Sequence, residues 1–225
     1  LFYHFSKKAN PNIKTLAYQH TLIFNYSHSI KRILRSNWNP DVILTSGISS
    51  TKLLKKYFSS QIKVKTLGSH KVKNLSKINL TQKLRNNILF IPLGEEEEAI
   101  FMTNFAIEFA KYNRNNNIII RYHPILRKKF LSYAKFKLDN FKISSQSLSE
   151  DCRFCKWAVF SSSTAVFEGA QEGCLPIRLS YGLIPEISNP MWQINSKLIS
   201  NISNYCQLDE LIKKTNLLDQ SEFKN

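Results

Sequence analysis

Residues 157–176 have a sequence typical of a strand, a turn and a short helix in direct succession. The first four, residues 157–160, form an apolar run without alternation, as expected of a parallel strand that is covered on both faces. Four hydroxyl residues follow, and Gly173 ends the predicted helix before residues 174–179 resume an extended course. This succession predicts an α/β fold built on a parallel sheet.

The hydroxyl residues of this turn are candidate ligands for an anion: Ser161, Ser162, Ser163 and Thr164. Helix N-termini attract phosphate through free N–H groups and through the positive end of the helix dipole. Glu168 follows Thr164 by four residues, so we expect both on one helix face, with the carboxylate about a ribose away from a bound phosphate. Serine and threonine also cap many helices that bind nothing. Position 165 is alanine, however, so Glu168 does not complete a capping box.

The charge of the chain is unevenly distributed. The 225 residues carry a formal charge of +16 and are 43% hydrophobic, enough for one domain or two small ones. Residues 1–94 hold sixteen Lys/Arg and one acidic residue, a net +15, whereas residues 95–225 hold sixteen Lys/Arg and fifteen acidic residues, a net +1. We therefore predict two lobes, of which the basic one favours an anionic partner such as a membrane leaflet, a nucleic acid or an acidic polymer.

The cellular setting is predicted from apolar runs and cysteines. No apolar run reaches membrane-spanning length and no signal peptide opens the chain, so we expect a cytoplasmic protein. The chain begins at Leu1 rather than methionine, which predicts a missing N-terminal segment. A zinc site would need a second close pair beside Cys152 and Cys155, but Cys174 and Cys206 are 32 residues apart. Free thiols and no metal are expected.

The remaining chain repeats the alternation of strand and helix. Strands are predicted at residues 12–20, 41–44, 61–67, 87–93, 117–124 and 141–144, and helices at 52–58, 95–112, 126–136 and 208–214. Residues 49–51 are expected to cap the 52–58 helix. Four glutamates at 95–98 suit a helix dipole but would repel phosphate, so the anion site is not expected there.

A basic, poorly patterned stretch at residues 68–86 is the expected interdomain linker. It separates a predicted N-terminal lobe, residues 1–80, from a C-terminal lobe, residues 81–225. A flexible connection at this point would let the two lobes close over a ligand.

Two strand ends carry further candidate residues. His20 ends the first strand, where α/β sheets place ligands, although a histidine there is often a loop or core residue. In the 117–124 strand, alternation puts Arg121 and His123 on one face, and Pro124 ends the strand. Arginine suits a diphosphate and histidine can donate to a phosphate oxygen, so these residues are expected to form a second wall of a nucleotide pocket.

The order of these motifs resembles a known enzyme family. Residues 13–20, residues 40–47, the Arg-x-His-Pro ending at Pro124 and the Ser-Ser-Thr-x3-Glu-Gly-x3-Gly-x2-Pro ending at Pro176 are together similar to bacterial surface-polysaccharide glycosyltransferases of the GT-B architecture. The similarity is to the broad group of capsule and lipopolysaccharide Kdo- and sialic-acid-type transferases, with CDP-glycerol glycerophosphotransferases as neighbours. It covers most of residues 12–182 and implies two Rossmann-like lobes with parallel sheets, the first of them incomplete.

The resemblance also implies roles for individual residues. His123 and the Ser/Thr turn would contact the donor phosphate, and Glu168 would bind the ribose. The Gln-His-Gly usual in the family is Gln19-His20-Thr21 here. The general base would be His20 or a carboxylate absent from this sequence.

The implied reaction moves a sugar from a nucleotide-activated donor to a surface polysaccharide or glycolipid. A CMP-sugar such as CMP-Kdo or CMP-sialic acid is the favoured donor, and no cofactor or metal is expected. The basic lobe would hold the anionic acceptor or contact the inner leaflet peripherally.

Two alternatives remain open. A nucleotide-sugar epimerase of the same architecture would act on the donor without an acceptor. A non-enzymatic basic module would bind an anionic polymer, nucleic acid or membrane through the first lobe. Nucleic acid is the less expected partner, because no nucleic-acid-binding motif is visible.

Overall fold

The computed structural model describes residues 1–25, 27–35, 38–58, 62–69, 86–130, 138–180, 189–194 and 199–217. The chain divides into two compact units. Unit 1 comprises Leu1–Asn74 with Pro190–Gln193, and unit 2 comprises Leu75–Asn189 with Ile194–Asn225. The predicted boundary between residues 80 and 81, and most of the predicted linker, lie outside the described residues.

Unit 1 contains a three-stranded parallel sheet in the order β1-β2-β3. Its strands are β1 (Leu16–Gln19), β2 (Val42–Thr45) and β3 (Lys63–Thr66), and its helices are α1 (Phe2–Ala9), a 3₁₀ turn (Ser29–Lys31) and α2 (Ile48–Phe58). The three strands predicted in this half of the sequence are confirmed; β1 and β3 are shorter than predicted, and β2 has the predicted length but begins one residue later.

The core of unit 1 lies on one face of its sheet. Ile43 of β2 and Val64 of β3 pack there against Leu54 and Phe58 of α2. Among the described residues the opposite face is less covered: Leu16 is 61% exposed and Lys63 is exposed, while Val42, which lies between them in register, is half-buried. The described residues of unit 1 therefore cover one face of its sheet more fully than the other.

The start of α2 differs from the prediction. Residues 49–51 were expected to cap a helix beginning at Lys52, but the helix begins at Ile48. The Thr51 hydroxyl lies inside the first turn, where it bonds to the hydroxyls of Thr45 and Thr66 at 2.6 Å each. It therefore ties α2 to the ends of β2 and β3 instead of capping the helix.

Unit 2 contains a six-stranded, all-parallel sheet. Its strands are β4 (Asn87–Phe90), β5 (Asn117–Ile120), β6 (Phe141–Ile143), β7 (Cys155–Phe160), β8 (Leu175–Leu179) and β9 (Ser200–Ile202). Its helices are α3 (Glu96–Tyr112), α4 (Pro124–Phe130), α5 (Leu148–Phe154), α6 (Val166–Gln171) and α7 (Tyr205–Leu217).

Both faces of this sheet are buried. Alternate residues of β4 point to opposite faces: Ile88 and Phe90 join one core cluster, which contains side chains of α3 and α7, and Leu89 joins a second beside α5. Burial on both faces explains why the strand sequences are apolar without alternation.

The strand order of unit 2 is β6-β5-β4-β7-β8-β9. Numbered within the unit this is 3-2-1-4-5-6, the order of a doubly wound Rossmann sheet. The chain runs outward from β4 in one direction and then returns to place β7 on its other side. In such sheets ligands bind beyond the carboxyl ends of the two strands at this switch point, here β4 and β7.

The end of α6 agrees with the prediction. Gly173 has φ of 88°, a left-handed conformation that glycine adopts without steric cost. The N–H of Cys174 then donates to the carbonyl of Gly169 at 2.9 Å, and β8 begins at the next residue. Within the described residues, none of the helices is both long and apolar enough to cross a membrane.

Candidate functional site

Three loops meet the carboxyl edge of the unit 2 sheet around the switch point. They follow β4 at residues 91–95, β5 at residues 121–123 and β7 at residues 161–165. Because β4 pairs with both β5 and β7, the three loops are neighbours. All of the donor-side residues predicted from the sequence, except Glu168 and Pro124, lie in the second and third of these loops.

The turn after β7 holds three buried serines. Ser161, Ser162 and Ser163 are 5%, 8% and 5% exposed, whereas Thr164 is exposed. The hydroxyls of Ser161 and Ser163 make no hydrogen bond to another described residue. Neither hydroxyl oxygen is itself fully enclosed, so both can bind a ligand at this edge.

The serines do not cap α6. The helix begins at Val166, and its N-cap residue is Ala165, which makes no side-chain cap hydrogen bond. Helix capping, the alternative to anion binding that the sequence left open for this turn, is therefore not the role of these side chains. Thr164 also precedes the helix, so it does not share a helix face with Glu168, although both residues are exposed.

A buried glutamate that the sequence analysis did not single out lies behind this turn. Glu98 is 1% exposed, and its Oε1 accepts the N–H of Leu93 at 3.0 Å and the N–H of Ser162 at 3.5 Å. Helical spacing was the available signal, because Glu98 precedes the buried Met102 by four residues and Ala106 by eight. Its position in a run of four glutamates does not distinguish Glu98 from its three exposed neighbours.

Arg121 is held by an acidic residue of unit 2. Its guanidinium donates to the Gln146 carbonyl and, at 3.3 Å, to Oδ2 of Asp151. Asp151 is 5% exposed and also accepts the Ser144 hydroxyl at 2.6 Å. These contacts give Arg121 a structural partner that the sequence did not reveal.

His123 lies against the loop after β4. A Cβ atom added to Gly94 would meet its Nδ1 at 3.1 Å, so the glycine allows the imidazole to approach the backbone closely. Nδ1 also accepts the N–H of Ile125 at 3.4 Å. This contact favours the tautomer with hydrogen on Nε2, which is then available to donate to a ligand.

Pro124 begins a helix instead of ending a strand. The strand ends at Ile120, and Pro124 is the first residue of α4, a position that suits proline because its missing N–H would have no helical partner there. The predicted extension of this helix from residue 131 to residue 136 lies outside the described residues.

His20 lies in unit 1 at the carboxyl end of β1 and is exposed, with its ring 6.4 Å from the Tyr18 ring. The Gln19 amide donates to the Thr21 hydroxyl at 2.7 Å and to its carbonyl at 3.2 Å. The threonine that replaces the usual glycine is therefore held by its neighbour in the motif.

A second unpredicted charged residue lies near the carboxyl edge of unit 2. Arg178 of β8 is 7% exposed and pairs in register with Phe160, which directly precedes Ser161. A lone arginine in the apolar strand Leu175–Leu179 was the available signal.

The cysteines of unit 2 come closer together than their sequence spacing suggested. The Cys174 thiol donates to the carbonyls of Cys152 and Cys155 at 3.3 Å each. The neighbouring Cys174 thiol, followed by burial, raises the pKa of Cys152 far above its ordinary value. Across the described residues, no group of three or more His, Cys, Asp or Glu side chains is arranged to hold a metal ion.

Comparison with known proteins gives structural matches alone. No protein-family model matches the chain, and no curated protein sequence matches it. CalG4, the calicheamicin glycosyltransferase, matches with a TM-score of 0.51 at 11% identity, over 81% of this chain and 45% of its own. The glycosyltransferase of kitacinnamycin matches with a TM-score of 0.50 at 8% identity, over 80% of this chain and 47% of its own.

The UDP-GlcNAc 2-epimerase of Methanocaldococcus jannaschii, solved with UDP-GlcNAc and UDP, matches with a TM-score of 0.48 at 13% identity, over 80% of this chain and 70% of its own. This chain spans less than half of either glycosyltransferase. The predicted fold class, α/β with Rossmann-like parallel sheets of the GT-B kind, is confirmed.

Proposed function

We propose that this protein is a glycosyltransferase whose unit 2 binds the nucleotide of an activated sugar at the β4–β7 switch point. The observation that carries the proposal is the Ser161–Ser163 turn, in which the hydroxyls of Ser161 and Ser163 make no hydrogen bond to another described residue and can therefore bind a ligand. They lie where doubly wound sheets bind nucleotides. The family resemblance of the sequence motifs and the likeness in fold to glycosyltransferases support the same assignment.

In the proposed reaction the bond between the anomeric carbon and the donor phosphate oxygen breaks. The electron pair of that bond stays on the phosphate, which gains negative charge as it leaves. The serine hydroxyls and Nε2–H of His123 are the donors assigned to this charge, because fixed donors aimed at a developing anion lower the barrier most. Arg121 supports the site through its ion pair with Asp151.

The remaining part of the donor is assigned to Glu168. Its exposed carboxylate follows the turn on α6 and can accept hydrogen bonds from two vicinal hydroxyls of a ribose. A CMP-sugar is the donor we favour, on the resemblance to Kdo- and sialic-acid-type transferases.

Unit 1 is assigned to the acceptor. Its excess of lysine and arginine suits an anionic glycan or glycolipid, and peripheral contact with the cytoplasmic face of the inner membrane follows from the same charge. We propose His20 as the base that takes the proton of the attacking hydroxyl, since it stands at a strand end and is exposed.

Calorimetric titration with CMP, CDP, UDP and GDP tests the donor site. We expect one nucleotide to bind in the micromolar range, and Ser163→Ala, His123→Ala and Glu168→Ala each to weaken it about tenfold or more, since hydrogen bonds to charged groups contribute about 1.5–3 kcal/mol. Glu210→Ala, on the exposed side of α7, is the control and should leave the affinity unchanged. Absence of binding by all four nucleotides to the folded protein would refute the donor site and favour a basic binding module.

A further inference from the structure

Glu98 is placed where a carboxylate is seldom found. It is the last of four consecutive glutamates, of which the first three are exposed while Glu98 is 1% exposed. Charged side chains are rarely buried without a partner, because removing a carboxylate from water is costly. Its hydrogen bonds therefore identify the interaction that keeps it buried.

One carboxylate oxygen joins two loops. Oε1 of Glu98 accepts the N–H of Leu93, in the loop after β4, at 3.0 Å, and makes a longer contact of 3.5 Å with the N–H of Ser162, in the turn after β7. These loops follow the two strands that flank the switch point, which pair through Phe90 and Val159. Glu98 thus spans the position where the sheet reverses its order.

We propose that Glu98 is a positioning residue that holds the Ser161–Ser163 turn in the conformation that receives the anion. This inference rests on the proposed donor site. Because the Ser162 N–H is directed at Glu98, the anion is bound by the hydroxyls of Ser161 and Ser163 instead. Glu98 itself is buried and does not touch the ligand.

The carboxylate has two opposing effects on the bound anion. Its oxygen fixes the turn, which favours binding, whereas its negative charge close to the turn repels a phosphate. Glu98→Gln keeps an oxygen that can accept the two N–H groups and removes the charge, and Glu98→Ala removes both. If Glu98 contributed only to stability, the nucleotide affinities of Glu98→Gln and Glu98→Ala would not differ in this way.

The test combines amide hydrogen exchange, measured by NMR on the ¹⁵N-labelled full chain, with nucleotide calorimetry. In Glu98→Ala we expect exchange of the Ser162 amide to accelerate at least tenfold and nucleotide affinity to fall at least tenfold, while the amides of Ala158 and Val159 in β7 keep their protection. Glu98→Gln should keep the Ser162 protection and bind the nucleotide as tightly as the wild type or more tightly. Glu97→Ala removes a neighbouring exposed charge from the same helix end and should match the wild type within twofold.

The outcomes separate this inference from the donor site. If Ser162 exchange is unchanged in Glu98→Ala, Glu98 does not hold the Ser162 amide. If exchange is faster but nucleotide affinity is intact, Glu98 does not position the turn for binding. If the wild type binds none of the four nucleotides, the proposed function fails, and the Ser162 exchange rate alone decides whether Glu98 holds the turn. If Glu98→Ala does not fold, Glu98→Asp replaces it in the test. Its side chain is one methylene shorter, so the carboxylate lies further from the Ser162 amide, and we expect that amide to exchange faster in the same way.

Discussion

Within the described residues, the two parallel sheets differ in how fully their two faces are covered. In unit 2, Ile88 and Leu89 point to opposite faces of β4 and both are fully buried. In unit 1, Ile43 is buried by α2, while Leu16 on the other face is 61% exposed. Strand sequence follows this difference, since β4 reads NILF and β3 reads KVKT. Parallel sheets are usually covered on both faces, so within the described residues the partly exposed face of β1 and β3 distinguishes unit 1 from unit 2.

Two leucines in these sheets provide the largest expected contrast. Leu89→Ala in β4 should lower the free energy of unfolding of unit 2 by about 2–5 kcal/mol, because it leaves a cavity in a packed core. Leu16→Ala in β1 should change that of unit 1 by about 0.5 kcal/mol or less, because the side chain is already exposed. Urea denaturation of both variants measures the contrast. A large loss of unfolding free energy in Leu16→Ala would mean that the sheet face carrying Leu16 is covered in solution.

The ion pair between Arg121 and Asp151 is a second test of unit 2. Removing either partner leaves the other charge largely buried, so Arg121→Ala and Asp151→Asn should each cost about 2–3 kcal/mol of stability. If Arg121 acts only as a support, both variants should weaken nucleotide binding equally once they are folded. A specific loss of affinity in Arg121→Ala, measured by calorimetry, would instead make it a direct phosphate ligand.

Unit 1 contains an exposed ion pair, between Lys7 and Asp41, whose small contribution to stability responds to pH. The hydrogen bond from Lys7, followed by those from the backbone and hydroxyl of Thr15, lowers the pKa of Asp41 from 3.8 to about 2. A carboxyl group whose pKa is lower in the folded state than in the unfolded state stabilises the fold at pH values above its unfolded-state pKa. For Asp41 this stabilisation is fully present above about pH 4 and is lost as the pH falls from about 4 to about 2.

Because the Asp41 side chain is 40% exposed, screening limits this gain to about 1 kcal/mol or less. Asp41→Asn should therefore lower stability slightly at pH 7, and its difference from the wild type should shrink as the pH falls below 4. The exposed Asp139 of unit 2 supplies the control Asp139→Asn. A difference that persists unchanged at low pH would contradict the assignment.

The smallest expected effect is a change in nucleotide affinity when a glycine is replaced by alanine, compared between one glycine of each unit. Gly94→Ala adds a Cβ at 3.1 Å from Nδ1 of His123, so the imidazole must shift by a few tenths of an ångström. We expect a roughly threefold loss of nucleotide affinity, below about 1 kcal/mol. Gly47→Ala in unit 1 meets no atom within 4 Å and should leave affinity unchanged in the same titration.

Much of the fold could be predicted because it is encoded in short, local sequence patterns. Apolar runs such as residues 157–160 predicted strands buried on both faces, and Gly173 ended its helix as predicted. The order of strands and helices was sufficient to predict parallel sheets. Element ends were less accurate, as in β5, which ends at Ile120 before the Arg-x-His-Pro motif.

The candidate site was less predictable, because its contacts join residues far apart in sequence. Ser162 and Glu98 are separated by 64 positions, and Arg121 and Asp151 by 30. Charge alone placed Glu98 with its three exposed neighbours, whereas the fold turns it inward. The assigned ligand contacts of His20, Glu168 and the serines remain predictions.

The buried cysteines have a practical consequence for measurements on this protein. Cys152, Cys155 and Cys174 are buried, whereas Cys206 on α7 is exposed. A thiolate is the nucleophile that attacks a thiol reagent, and burial disfavours the thiolate, so a maleimide is expected to couple at Cys206 alone. The natural sequence therefore accepts a single fluorophore or spin label on α7, without any cysteine having to be added or removed.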